Sequence, residues 1–250
     1  MTALLDIRGL RISARRDDGS LLPIVKDVSF EIGAGEVVAL IGESGSGKTT
    51  IALSALAYTK PGLEFAGGKV RLRGIDVLAM TPPQQLELRG GRVAYLAQSA
   101  AAAFNPSLKI GEQVTESAVL HGLLSQTEAD RRAEALYRAL ELPQPELIGE
   151  RYPHQVSGGQ LQRLMAAMAL CGKPDLLVLD EPTTALDVTT QIEVLKAFKR
   201  VIREEGAAAI YVTHDLAVVA QIADRIVVLY NGEIQEAGTA QQIIEQPSHA

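Results

Sequence analysis

The 250-residue sequence predicts an α/β protein: a parallel-sheet core, an antiparallel β subdomain at the N-terminus and an inserted helical subdomain. Three observations carry this. Short, nearly all-apolar runs ("EVVALI", "VAYLAQ", "DLLVLD", "AAIYVTH") read as strands buried on both faces, and helix-like stretches separate them. Residues 1–35 instead alternate apolar and polar positions around the turn "RRDDGS", the pattern of an antiparallel pair with one wet face. From Ser99 to about Gly172 the character is helical throughout. These boundaries give one domain over 1–250, with its core at 1–98 and 173–250 and the helical lobe at 99–172.

In chain order, "LLDIRGLRIS" and "IVKDVSFEI" are the antiparallel strands and Glu36–Ile41 the first buried strand. A glycine-rich turn leads into the helix "KTTIALSALAY", then "KVRLRG" is β and Val93–Gln98 a second buried strand. In the lobe, "TEADRRAEALYRALEL" places Ala133, Leu136 and Leu140 on one helical face, with Thr127 as the expected N-cap. Beyond it, Ile192, Leu195, Phe198 and Ile202 recur at helical spacing and Gly206 stands where a C-cap belongs. The strand–helix alternation of this last third requires parallel pairing with right-handed crossovers.

A hydrophobic content of 47% suits a packed core and excludes a disordered chain. The net charge of −6 argues against a nucleic-acid binder acting through a broad basic surface. The single cysteine, Cys171, excludes an internal disulfide and a Cys-rich zinc site, and its Ala/Met/Leu surroundings make it a core filler. No apolar run reaches the ~18–20 residues that span a bilayer, and the charged N-terminus is no secretory signal, so a membrane role requires a partner.

The strongest chemical signal is Gly42-Glu43-Ser44-Gly45-Ser46-Gly47-Lys48-Thr49, which satisfies G-x-x-x-x-G-K-[ST] between an expected strand and an expected helix. Glycines let the backbone wrap a phosphate, Lys48 neutralises its outer oxygens, and the Thr49 hydroxyl is a Mg²⁺ ligand. Thr50, in the helix, offers its backbone N–H to phosphate. Such a site needs an acidic partner after a buried strand. "LLVLDEP" supplies Asp180, expected to hold Mg²⁺ through water, and Glu181, placed to activate the attacking water as general base. A second Ser/Gly helix start, Ser157-Gly158-Gly159-Gln160, has the make-up of an anion site without the lysine.

The order "GESGSGKT", Gln98, "VSGGQ", "LLVLDEP", "TALD" and "VTHD" resembles the nucleotide-binding subunit of ATP-binding cassette (ABC) transporters along essentially the whole chain. The resemblance implies a P-loop NTPase (RecA-like) core and an ATPase with ATP and Mg²⁺ as cofactors. It implies that Gln98 touches Mg²⁺ and the attacking water, that His214 contacts the γ-phosphate, and that Asp187 connects two active sites. It further implies a head-to-tail dimer, each ATP held by the phosphate loop of one chain and by Ser157, Gly158, Gly159 and Gln160 of the other. Val156 stands where the family usually has Leu. His121, His154 and His249 match no catalytic position. The family's adenine-stacking aromatic is missing from "ISARRDDGSLLPIVKD"; Arg15 or Arg16 is the candidate replacement, with weakened preference for adenine.

Asn105, Pro106, Ile110, Gly111, Glu112 and Gln113, with "YPHQVSGGQ" and "EQPSHA", resemble the oligopeptide, dipeptide and nickel importer branch. That branch normally continues for some tens of residues, in some members with a Cys-rich iron–sulfur segment. The implied partners are a second ABC ATPase subunit (identical or paralogous), transmembrane permease subunits and, indirectly, an extracytoplasmic solute-binding protein, but no nucleic acid. The implied location is the cytoplasmic face of the cell membrane. Three other readings compete. A soluble phosphonate-breakdown complex uses a similar cassette. A DNA-repair cassette needs a coiled coil or zinc module that the short interval from Lys48 to Val156 does not hold. An ordinary P-loop kinase has no need of "SGGQ".

Overall fold

The computed structural model describes residues 3–183 and 186–246. Thr184 and Ala185 of the "TALD" stretch, and residues 247–250 with His249, lie outside the described residues. In chain order the elements are β1 (Leu5–Arg15), β2 (Leu21–Ile32), β3 (Val37–Gly42), α1 (Lys48–Ser54), β4 (Leu63–Leu72), β5 (Ile75–Asp76) and α2 (Pro82–Leu88). Next come β6 (Val93–Leu96), α3 (Ala100–Ala103), α4 (Ile110–Leu120), α5 (Gln126–Ala139), α6 (Gly158–Cys171), β7 (Leu176–Asp180) and α7 (Val188–Glu205). The last are β8 (Ala208–Val212), α8 (Leu216–Ile222), β9 (Arg225–Tyr230), β10 (Glu233–Thr239) and α9 (Ala240–Glu245). They fall into two compact units, Met1–Gln85 with Ala208–Ala250, and Leu86–Ala207.

The first unit holds an antiparallel sheet in the order β2-β1-β4-β5 and a second group of strands, β10-β9-β3-β8. β3 pairs in parallel with both β8 and β9, and β10 closes on β9 as an antiparallel hairpin. Val37 to Leu40 and Ala208 to Val212 are all at most 1% exposed, which is why these runs read as continuous apolar strands and not as alternating ones. The Val37 N–H donates to the Asp224 carboxylate (3.0 Å), fixing the register of β3 at its start. In β1 the alternation is real but interrupted: its register against β2 and β4 shifts at several points, where Gly9 and the close approach of Gly68 to it bend the strands.

The second unit pairs β6 with β7 in parallel and surrounds them with helices; α4, α5 and α6 pack on one another. Ala133, Leu136 and Leu140 are buried, as their spacing requires. The N-cap of α5, however, is Ser125 and not Thr127: Ser125 accepts from the Glu128 N–H while Glu128 accepts from Ser125, a capping box that outcompetes a lone threonine two residues on. In α7 Leu195, Phe198 and Ile202 are at most 1% exposed, each worth ~1.5–3 kcal/mol of burial, and Gly206 ends the helix at φ 69°. Cys171 is fully buried, its Sγ 3.9 Å from the Ala129 carbonyl, and burial pushes its thiol pKa up.

Candidate functional site

The phosphate loop leaves the carboxyl end of β3, and each of its glycines has a geometric task. Gly42 has φ 146°, and a Cβ there would lie 2.0 Å from the Leu229 carbonyl oxygen on β9. Gly47, at φ 94°, faces Val25 of β2 at 3.3 Å. The loop closes on its own lysine: Lys48 Nζ donates to the carbonyls of Gly42 and Glu43, both at 2.8 Å, and the ammonium is buried. The Ser46 hydroxyl is buried too and has no hydrogen-bond partner within the protein. Thr49 and Thr50 lie in the first turn of α1. His214 stands two residues past β8; the parallel pairing Leu40↔Val212 brings it to the same sheet end as the loop. Asp215 caps α8 by accepting from the N–H groups of Ala217 and Val218, so its role in "VTHD" is structural.

In the second unit the carboxylates come off β7. Asp180 is its last residue; Glu181 follows at φ 49°, a left-handed conformation that costs a non-glycine residue on the order of 1–3 kcal/mol and marks a constrained site. β6 ends at Leu96, two residues before Gln98, which lies in the loop beyond the strand rather than at its end. From there Gln98 Nε2 donates to Glu181 Oε2 at 3.3 Å. Tyr95, which the sequence did not single out, donates its hydroxyl to Asp180 Oδ2 at 3.1 Å. Its only sequence signal is a large aromatic among small and aliphatic neighbours.

Ser157 caps α6: its Oγ accepts from the Gln160 N–H (3.3 Å), and Gln160 Oε1 accepts from the Ser157 N–H (2.9 Å). Asp187 caps α7 through the Thr190 N–H (3.0 Å), and hydrogen bonds from the Thr190 segment hold its carboxyl below the usual range. The two helix starts adjoin, because a Cβ on Gly159 would meet the Thr190 methyl at 2.7 Å. The structure thus groups Gly42–Lys48 with His214, Asp180 and Glu181 with Gln98, and Ser157–Gln160 with Asp187. His154 stacks on Tyr152 at 5.7 Å. Arg15 is ion-paired with Glu64 at 2.7 Å, so base stacking would have to compete with that pair. Among the described residues no three His, Cys, Asp or Glu side chains gather to hold a metal.

A glycine-wrapped lysine loop between β3 and α1, with paired carboxylates after a buried strand, defines the P-loop class. The family described as ABC transporter matches residues 25–184, and the chain belongs to that family. It is 38% identical to the oligopeptide transport ATP-binding protein OppD of Bacillus subtilis (strain 168), covering 100% of this chain and 70% of that protein. It is 40% identical to the glutathione import ATP-binding protein GsiA of Escherichia coli O157:H7, covering 98% of this chain but 40% of that one. Among solved structures it is similar to the dimeric, post-hydrolysis ATP-binding cassette MJ0796 bound to ADP and Pi, with TM-score 0.80 and 26% identity over 94% of this chain and 98% of that one. An ATP-binding subunit of an ABC transporter gives TM-score 0.75 and 28% identity over 97% of this chain and 92% of that one.

Proposed function

We propose that the chain binds ATP with Mg²⁺ and hydrolyses it as one of a pair of cassettes that drive import of peptides or a similar small solute. The observation that carries the reading is the closed loop: Lys48 spanning Gly42 and Glu43 at 2.8 Å each, with the buried Ser46 hydroxyl still unmatched. The lysine sits inside the loop, and the loop glycines let phosphate oxygens approach the backbone closely. The donors fit Mg²⁺, since the Thr49 hydroxyl, the Asp180 carboxylate and the Gln98 amide oxygen are all hard oxygens. Gln98 Nε2 donates to Glu181, so its amide oxygen is the atom that would serve a metal. When bound, Mg²⁺ would neutralise charge building on the phosphates.

The remaining roles belong to the chain's own residues. Glu181 takes the proton of the attacking water, Gln98 orients that carboxylate, and His214 donates toward the γ-phosphate. Gly42, Glu43, Ser44, Gly45, Ser46 and Gly47, with Thr49 and Thr50, cradle the phosphates. Ser157, Gly158, Gly159 and Gln160 close on the nucleotide of a second cassette, and Asp187 lies at that junction. Closure with ATP and reopening after hydrolysis make a ligand-driven two-state switch.

No helix among the described residues is long and apolar enough to cross a membrane. On this reading the work passes to permease subunits at the cytoplasmic face of the membrane, with solute delivered by an extracytoplasmic binding protein. The relatives named for oligopeptide and glutathione import favour this over the phosphonate complex. The test is Glu181→Gln: ATP binding is kept while turnover falls roughly 10²–10⁴-fold, the worth of a general base. Near-normal hydrolysis in that variant would remove Glu181 from the mechanism.

A further inference from the structure

β6 and the loop that follows it present two side-chain donors to two successive carboxylates. Tyr95 and Gln98, three residues apart, donate to Asp180 at 3.1 Å and to Glu181 at 3.3 Å. The parallel pairing of β6 with β7 sets this up. Tyr95 lies opposite Val178, and the long phenol reaches two residues along to the strand's end. The ring is not a core filler. Tyr95 is 40% exposed while Val93, Ala94 and Leu96 on the same strand are at most 6% exposed. Tyr95 is thus kept on the wet side of an otherwise buried strand, with its hydroxyl on a carboxylate.

We propose that Tyr95 is a positioning residue for the metal-holding carboxylate: its hydroxyl holds Asp180 Oδ2 and so sets the orientation of the carboxylate that would hold Mg²⁺ through water. The proposal rests on the reading that Asp180 holds Mg²⁺ through water. An aspartate carboxyl rotates in a broad, two-fold torsion, so a free one samples many orientations. A donor on one oxygen narrows that spread before the metal arrives. Partners of this kind behind a ligating group typically carry 10–100-fold of metal affinity. A neutral bond of 3.1 Å at a half-open site belongs at the lower end, about tenfold.

The experiment titrates Mn²⁺, followed by electron paramagnetic resonance, into protein loaded with a non-hydrolysable ATP analogue. It compares wild type, Tyr95→Phe and Asp180→Asn, and measures affinity for the analogue without metal alongside. Phenylalanine keeps the ring and removes only the hydroxyl, so the packing of β6 is untouched. The expected result is a roughly tenfold weaker Mn²⁺ affinity in Tyr95→Phe, a larger loss in Asp180→Asn, and unchanged metal-free affinity in Tyr95→Phe. Wild-type Mn²⁺ affinity in Tyr95→Phe beside a loss in Asp180→Asn overturns the role of Tyr95 and leaves Asp180 as the metal holder. No loss in either variant overturns both. A loss of metal-free affinity equal to the loss of Mn²⁺ affinity in Tyr95→Phe also overturns the proposal, since it places the defect in nucleotide binding.

Discussion

Two helices of this protein start from the same short vocabulary of serine and glycine, and they treat their exposed N–H groups in opposite ways. At α1 the cap position is Gly47, which has no side chain to offer. At α6 the cap is Ser157, whose hydroxyl takes the Gln160 N–H while Gln160 returns the favour, so two of the leftover donors are already satisfied. The first start is built around a buried lysine, and its cap position makes no side-chain hydrogen bond. The second is complete by itself and stands on a helix of 14 residues packed against its neighbours. A glycine-rich helix start is therefore not one signal. On the proposed function the start without a side-chain cap is the phosphate cradle and the self-capped one is the surface offered to a second cassette.

The largest expected effect strikes the open start. Lys48→Ala removes the ammonium that spans the loop, and ATP affinity measured by calorimetry should fall by about 100-fold or more, the worth of one to two charge-assisted hydrogen bonds. Unchanged affinity would erase the distinction between the two starts. Next comes the packing behind the capped start. Gly159→Ala puts a methyl 2.7 Å from the Thr190 methyl and should cost ~1–3 kcal/mol in thermal or denaturant unfolding. Gly158→Ala, whose new methyl meets Leu186 at an ordinary 3.9 Å, is the matched control and should differ little from wild type.

Smaller still is the cap. Ser157→Ala should lower stability by about 1 kcal/mol and Ser157→Asp should restore most of it, because aspartate caps equally well. Equal stability of serine and alanine would mean that the box at α6 is not formed in solution. The smallest effect concerns the neighbouring cap at Asp187. Hydrogen bonds from Thr190 depress its folded pKa below the ordinary 3.8, so its contribution is present above that value and lost as pH falls through the lower, folded pKa. Asp187→Asn keeps a capping side chain without the charge. The Tm gap between the two proteins should be widest near neutrality and close as the pH drops below 3.8.

Much of the fold was legible because its determinants are local. The runs at Glu36–Ile41 and "AAIYVTH" became β3 and β8 since nothing polar interrupts them, and Gly206 ended α7 because only glycine sits comfortably at φ 69°. Thr127 was misread since Ser125 begins its box with Glu128 two residues earlier, and a cap is decided by the pair and not by one hydroxyl. The phosphate loop and the Asp180–Glu181 pair could be named from spelling alone. Tyr95 could not: its hydrogen bond to Asp180 joins residues 85 positions apart and exists only because β6 lies beside β7. The bonds of Gln98 and of the Gly159–Thr190 contact are equally non-local.

The burial of Cys171 has a practical side. With no tryptophan in the sequence and its one thiol buried beside the Ala129 carbonyl, the protein is optically quiet and nearly inert to maleimides. A dye coupled through Leu120→Cys, at a side chain that is 77% exposed, would report from α4 against almost no background. The same holds for a lone indole placed near Gly47. The sequence thus offers two clean channels, one in each unit, through which each can be followed by itself.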